Sequence, residues 1–340
     1  MSVLCVIGVR PHAGKAACLA QAYRDVGQEL NFYVTRQQKD FLAASIQPMD
    51  NFLAKTTSRI SPIEFSYKAE AKNIGDFAKE IRSRCILSIG DTKTSLVAAL
   101  AASESEIPLV HYESGLRSVS EHEILEDKIR KKIEALSKTH LVYNHISREN
   151  LINEGFSHSS IYVVGSLYEE IILRFNSWGN AVTIPKSILI SIHRKENLQN
   201  RLIIKEIIDR ISIFSDKYVT VITHGSNKNL DMSPLISYKS VRVVETMDVR
   251  SFIRFLKSHE YIVTDSAGIC EQATLLEKKV LLLRKSTERP WLLSERTVLT
   301  SLRTMARDMD ALSKIGPSRW HGSFDGAVSH RIVQAIRGIT

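Results

Sequence analysis

A chain of 340 residues is long enough for two α/β domains of ordinary size, and its 44% hydrophobic and 24% charged residues are those of a folded protein. No stretch approaches 18 apolar residues, so no helical membrane span is expected. The formal charge of +9 favours an anionic partner, a nucleotide sugar or an acidic lipid; with no arginine-rich arm and no interleaving of aromatic and basic residues, nucleic acid is set aside.

The opening residues, MSVLCVIGVR, lack the pattern of a signal peptide and run straight into a strand. Cys5, Cys18, Cys85 and Cys270 form no CxxC pair, so neither a zinc knuckle nor a disulfide scaffold is signalled. The expectation is a reducing, cytoplasmic setting.

Val3 to Ile7 read as the first strand. Gly8 to Lys15 read as a turn, followed by a helix from about Ala16 to Val26 with Ala16, Leu19, Ala20 and Tyr23 inward. Arg10, His12 and Lys15 thus stand at the carboxyl end of the first strand, where open parallel sheets bind ligands. The simpler reading is a solvated basic turn. A second strand covers Leu30 to Thr35, a weak helix lies near 38–45, and a short strand is expected at Ile63 to Tyr67. A helix from Ala69 to Ile81 feeds the strand Cys85 to Ile89, which ends in Gly90-Asp91-Thr92 before an alanine-rich helix.

Asp91 is either the cap of that helix or a carboxylate held for proton transfer. The next strand, Pro108 to His111, runs into Tyr112-Glu113-Ser114-Gly115-Leu116-Arg117. Two carboxylates at adjacent strand ends make a plausible acid/base pair, with Arg117 neutralising one of them or holding phosphate. A helix over 124–136 is expected to bury Leu125, Ile129, Ile133 and Leu136. Beside that stripe Glu126 and Arg130 are i,i+4 partners, either a surface pair of about 0.3–0.5 kcal/mol or a third carboxylate with an orienting cation. A strand at His140 to Tyr143, a helix, a strand at Ile161 to Val164 and a helix from Leu167 follow, and Asn176 to Asn180 have linker composition.

The second half repeats this grammar. A strand at Ser187 to Ile192 leads into His193-Arg194-Lys195-Glu196-Asn197 and a helix over 198–213 with Leu202, Ile203, Ile207 and Ile211 inward. A strand at Val219 to Thr223 ends in His224-Gly225-Ser226, and Val241 to Val244 form another. Tyr261 to Thr264, the turn Asp265-Ser266-Ala267-Gly268, a helix to Leu276 and the strand Val280 to Leu283 are a parallel βαβ step. The turn offers backbone N–H groups and the Ser266 hydroxyl at a helix N-terminus, a site for a phosphate or diphosphate. Glu271, on the first turns, suits a ribose diol. No GxGxxG is present, so a dinucleotide is not expected. Residues 299–313 read as partly helical, and Asp325 to Arg337 as a final amphipathic helix. Two βα arrays joined by a linker predict an α/β clamshell with two Rossmann-like parallel-sheet domains and a central cleft.

Six strings in order resemble the UDP-N-acetylglucosamine 2-epimerase family: Gly8-Val9-Arg10-Pro11, Gly90-Asp91-Thr92, His111 to Ser118, His193 to Asn197, Thr264 to Ile269 with Glu271, and Thr287-Glu288-Arg289-Pro290. The resemblance implies a two-domain GT-B-like fold; the linker composition at 176–180 sets the expected domains at 1–176 and 181–320, with a C-terminal helix at 321–340 packing back on the first. The resemblance also implies a UDP-sugar substrate, a homodimer, and no metal or nicotinamide cofactor. Carried over by residue, it makes Asp91, Glu113 and Glu126 the acid/base carboxylates. His193 joins the catalytic set as a diphosphate contact with Ser266, Ala267 and Gly268. Glu271 becomes the ribose contact, and Arg10, Lys15, Arg117, Arg130 and Arg289 become substrate contacts.

Departures fall mostly on the sugar side. His12 stands for a glutamate, Gln38 for a histidine, Ala267 for a glycine, Gln272 for a glutamate and Trp291 for a glutamate, and 125–130 is altered. Arg36 and Gln38 replace a glycine and histidine motif, which tilts the expected outcome toward hydrolysis, with release of UDP and a 2-epimerised sugar. A glycosyltransferase on the same fold, or a relative that binds UDP-sugar without turnover, stays open.

Overall fold

The computed structural model describes residues 2–38, 58–61, 65–118, 124–176, 182–211, 218–223, 230–233, 235, 238, 240–245, 247–316 and 324–339. The chain divides into two compact units, Met1–Ile171 with Asp325–Thr340, and Ile172–Phe324. Among the described residues no helix is long and apolar enough to cross a membrane.

The first unit begins β1 (Ser2–Ile7), α1 (Arg10–Asp25), β2 (Glu29–Val34), β3 (Ser58–Ile60), α2 (Tyr67–Glu80), β4 (Ile86–Ile89) and α3 (Lys93–Ser105). It continues β5 (Leu109–Ser114), α4 (Leu125–Ala135), β6 (Thr139–Val142), α5 (His145–Asn153), β7 (Ile161–Val163) and the start of α6 (Leu167–Asn176), a helix whose residues from Ile172 on belong to the second unit. The described strands form one parallel sheet in the order β3-β2-β1-β4-β5-β6-β7. Helices cover both faces of such a sheet, so its central strands are continuous apolar runs such as Leu4 to Ile7. α2 and α3 lay Ile74, Phe77, Val97 and Ala101 on one face with Leu4, Val6 and Ile86.

The second unit contains β8 (Ile184–Ser191), α7 (Lys195–Leu198), α8 (Ile203–Ile211), β9 (Val219–Thr223), β10 (Val241–Glu245) and α9 (Val249–Ser258). After them come β11 (His259–Thr264), α10 (Ala267–Leu275), β12 (Lys279–Leu283), β13 (Thr297–Thr300) and α11 (Met305–Ser313). Its parallel sheet runs β10-β9-β8-β11-β12-β13. Ile203, Ile204, Ile207, Ile208 and Ile211 of α8 pack its core with Ile188, Ile190 and Val221. The last helix, α12 (Val328–Ile339), belongs to the first unit, where it lies against α1.

Strand order reverses between β1 and β4 in one sheet and between β8 and β11 in the other. The carboxyl ends of strands at such switch points open a crevice for ligands. Asp91 and Glu113 follow β4 and lie within β5, while His193 and Ser266 follow β8 and β11.

Several expected elements differ. The basic turn is helix: α1 begins at Arg10, with Pro11 in its first turn, where its missing N–H is no loss. His12 and Lys15 are therefore buried helical side chains, not solvated turn residues. The short strand is Ser58–Ile60, and Tyr67 already opens α2; 62–64 lie outside the described residues, as does nearly all of the weak helix at 38–45. Leu125, which opens α4, is 65% exposed, and Leu136, just past its end, is 39% exposed. Its buried face is Asp127, Arg130, Ile133 and Glu134, because hydrogen-bond partners draw the polar side chains inward. The helix expected over 198–213 is broken into α7 and α8, with Leu202 exposed; 212–217, the loop at 224–226 and most of the linker at 176–180 are not described. Thr297 to Thr300 are strand, and the helix after them starts at Met305.

Candidate active site

In the first unit the backbone itself sets Glu113 apart. The β5–β6 register shifts between Tyr112 and Ser114, and Glu113 has φ +74. A non-glycine residue there stores about 1–3 kcal/mol of strain, and a bulge re-aims one side chain out of the strand alternation. The Glu113 carboxylate is buried, ion-paired to Lys15, and accepts a 2.8 Å hydrogen bond from the Tyr143 hydroxyl. Lys15 also lies over the Tyr168 ring, 4.5 Å from its centroid. Gly90, at φ +70, leaves room for this carboxylate: a Cβ there would stand 3.2 Å from Glu113 Oε2. Burial, then the Lys15 charge, push His12 down to about 3, so its imidazole is neutral. Burial likewise lowers the pKa of His111, whose Nε2 hydrogen-bonds the Gly90 carbonyl oxygen at 2.8 Å.

Asp91 is not the cap of α3. Thr92 is, in a reciprocal capping box with Ser95. Asp91 instead meets the buried guanidinium of Arg130, which also donates to Asp127 Oδ1 at 2.8 Å and to the Leu116 carbonyl at 3.0 Å. Arg130 thus has a buried partner three residues back in α4, and Asp127 in turn accepts from the Ser118 N–H at 2.9 Å. Glu126, its neighbour, is half-buried.

Arg117 neither faces Glu113 nor stands open to a phosphate. Its guanidinium closes on Glu134 at 2.5 Å and on Glu154 at 2.6 Å. Glu134 also accepts from the Gly115 N–H at 2.6 Å and the Ser114 hydroxyl at 3.1 Å, so it braces the bend that follows Glu113. Burial would raise the Glu134 pKa, but the Arg117 hydrogen bonds and charge hold it below the ordinary value. Arg10 is half-buried in the first turn of α1, where its N–H donates to Gln38 Oε1 at 3.0 Å. Gln37 does the same for α3, accepting from the Thr94 N–H at 2.7 Å. These two glutamines satisfy helix-start amides that have no partner within the helix.

In the second unit Ser266 is the N-cap of α10, its hydroxyl oxygen accepting from the Ile269 N–H. Ala267 and Gly268 form the first turn, where unpaired amides and the dipole favour an anion. Asp265, just before, is fully buried. It accepts from the His193 N–H at 3.0 Å, the Arg194 N–H at 2.9 Å and Asn197 Nδ2 at 2.9 Å, and His193 Nδ1 lies 2.9 Å from it. The loop after β8 is thereby tied to the end of β11, and the ring tautomer of His193 is set by Asp265. Burial opposes ionisation of Asp265, but the bonds from His193, Asn197 and Arg194 outweigh it and lower its pKa. Glu271 and Arg289, expected on the ribose and the nucleotide, face each other at 2.7 Å, and Arg289 also reaches Glu288 at 2.7 Å. Among the described residues no cluster of three or more His, Cys, Asp or Glu side chains has the arrangement of a metal site.

A profile of the UDP-N-acetylglucosamine 2-epimerase family matches residues 28–337. The chain belongs to that family. A UDP-N-acetylglucosamine 2-epimerase of Campylobacter jejuni is 30% identical, covering 85% of this chain and 82% of its own. That of Bacillus subtilis is 26% identical over 99% of this chain and 95% of its own. The crystal structure of the Methanocaldococcus jannaschii enzyme in complex with UDP-GlcNAc and UDP superposes with a TM-score of 0.83 at 23% identity, covering 99% and 100% of the two chains. Both sheets, their order and their flanking helices are thus the GT-B-like tandem Rossmann fold of this epimerase family.

Four polar residues of this family member escaped sequence reasoning: Asp265, Asp127, Glu134 and Tyr143. Asp265 was legible as a turn residue, but nothing local marked it as an acceptor for the loop after β8. The i, i+3, i+7 spacing of Asp127, Arg130 and Glu134 was a signal, hidden because charged residues are ordinarily assigned to the outer face.

Proposed function

We propose that the protein inverts carbon 2 of a UDP-N-acetylhexosamine, with the acid/base carboxylates in the first unit and the nucleotide contacts in the second. The observation that carries this is the pair Asp91 and Glu113 at the ends of adjacent strands, each held by a buried cation, Arg130 and Lys15. A carboxylate removes the carbon 2 proton while the bond from carbon 1 to UDP breaks, its electron pair leaving with UDP. The product is a glycal-type alkene. A carboxylic acid on the other face returns a proton to carbon 2, and water adds at carbon 1, losing its proton to a carboxylate; in reversible epimerisation a UDP oxygen takes the place of that water. Rigidly placed carboxylates suit both proton transfers. Glu126 is the third carboxylate of the set. Ser266, the first amides of α10 and His193 receive the diphosphate and stabilise the departing charge. Glu271, oriented by Arg289, receives the ribose.

A time course in deuterium oxide with UDP-N-acetylglucosamine, followed by proton NMR, tests this. Deuterium at carbon 2 is expected. Transfer of an undeuterated sugar to an acceptor would refute it and favour a glycosyltransferase. The departures at Arg36 and Gln38 favour water over returning UDP, so free UDP and a free 2-epimeric sugar are expected to accumulate. A stable mixture of two UDP-sugars without free UDP would replace hydrolysis with reversible epimerisation. A homodimer acting in the cytoplasm completes the proposal, and sedimentation of the purified protein checks the stoichiometry.

A further inference from the structure

We propose that Tyr143 is a positioning residue that holds Glu113 in its ionised form and fixes its aim. The inference rests on the reading of Glu113 as an acid/base carboxylate. Tyr143 follows β6 directly and is buried. Its hydroxyl donates to Glu113 Oε1 at 2.8 Å, and Lys15 Nζ reaches the same oxygen. One carboxylate oxygen is therefore gripped from two elements, α1 and the end of β6. The grip is rigid because the phenol is itself packed. Its ring lies 5.6 Å from that of Tyr112, tilted by 44°. The Tyr112 hydroxyl in turn donates to the Gly165 carbonyl at 3.1 Å and accepts from the Leu167 N–H at 2.7 Å.

The bulge explains why a second anchor is needed. Glu113 sits at φ +74 in a register shift, so the strand ladder does not hold its side chain direction. Lys15 alone supplies a point charge, which attracts the carboxylate without fixing its direction. A phenol adds a directional donor without adding charge, and a hydrogen bond to the charged form of a group favours that form. The titratable groups around Glu113 are Lys15 and His12 of α1, His111 of its own strand, Tyr143 itself, and Tyr168 of α6, whose ring lies under Lys15. Burial lowers the pKa values of His12 and His111, so neither adds a positive charge beside Glu113.

The test is Tyr143→Phe, which keeps the ring packing against Tyr112 and removes only the hydroxyl, with Glu113→Gln beside it. For Y143F the acid limb of the pH–rate profile should move up by about one pH unit, the size of one lost hydrogen bond to an ionised group. The kcat should fall roughly 10–100-fold while KM for the UDP-sugar stays within about threefold, since the phenol acts through Glu113 rather than on the substrate. Thermal unfolding within a few degrees of the parent shows that the fold is kept, and a merely structural role would lower Tm without moving the acid limb. An unmoved limb in folded Y143F, with E113Q inactive, overturns this inference alone. Full activity of E113Q overturns the reading of Glu113 and this inference with it.

Discussion

Asp265 offers a quantitative test of the second unit. Its carboxylate is fully buried and accepts hydrogen bonds from two backbone amides, the Asn197 side chain and the His193 ring. Asp265→Asn keeps the shape but turns an NH2 group toward N–H donors. Hydrogen bonds to a charged acceptor are worth about 1.5–3 kcal/mol each, and breaking a buried charged network costs about 3–5 kcal/mol. At roughly 2–4 °C per kcal/mol, Tm should fall by on the order of 10 °C. UDP affinity should fall about tenfold as His193 loses its orienting partner. The pH dependence has a definite sign. The folded pKa lies below the ordinary 3.8, so this stabilisation is present above that value and is lost as pH falls through the folded one. Urea unfolding of parent and variant from pH 8 to pH 3, with calorimetric UDP titration at neutral pH, measures both effects. The stability gap should be flat across neutral pH and narrow only in acid below the ordinary carboxyl range. A gap under about 1 kcal/mol with unchanged UDP affinity would refute the reasoning, since a buried charged acceptor cannot be removed so cheaply.

Asp91→Asn and Glu113→Gln should each lower turnover about 10²–10⁴-fold in the NMR assay, with UDP affinity within about threefold by calorimetry; normal turnover in both would remove them from the chemistry. Glu134→Gln should cost about 1–3 kcal/mol in urea unfolding at neutral pH, and the difference should shrink in acid, because its folded pKa lies below the ordinary 4.5. Gly115→Ala should be strongly destabilised by thermal scanning, because φ is +75 and the new Cβ would collide with the Ser147 carbonyl oxygen. Ser266→Ala should lose about 1 kcal/mol from the α10 cap and weaken UDP binding in the same preparation. Dialysis against EDTA should leave turnover unchanged, and activity restored only by a divalent cation would show that the carboxylates serve a metal.

What the sequence by itself determined was local. Apolar β-rich runs ending in Gly90-Asp91 and in Asp265-Ser266, each followed by helix, marked the strand ends, because strand, turn and cap preferences act over a few residues. The Ser266 cap, the alternation of strand and helix and the second-unit isoleucine face followed the same way. The helical start at Arg10 did not, because glycine and proline punctuate turns as often as they open helices. Only the tertiary structure decided the partners. Tyr143 reaches Glu113 across 30 positions, Arg130 reaches Asp91 across 39, and Asp265 gathers the loop at His193 across 72. It also sent Arg117 to Glu134 and Glu154, away from Glu113. A buried charge is set by whichever donors the folded sheet brings within about 3 Å, and between partners tens of residues apart that juxtaposition carries no signature in the spacing along the chain.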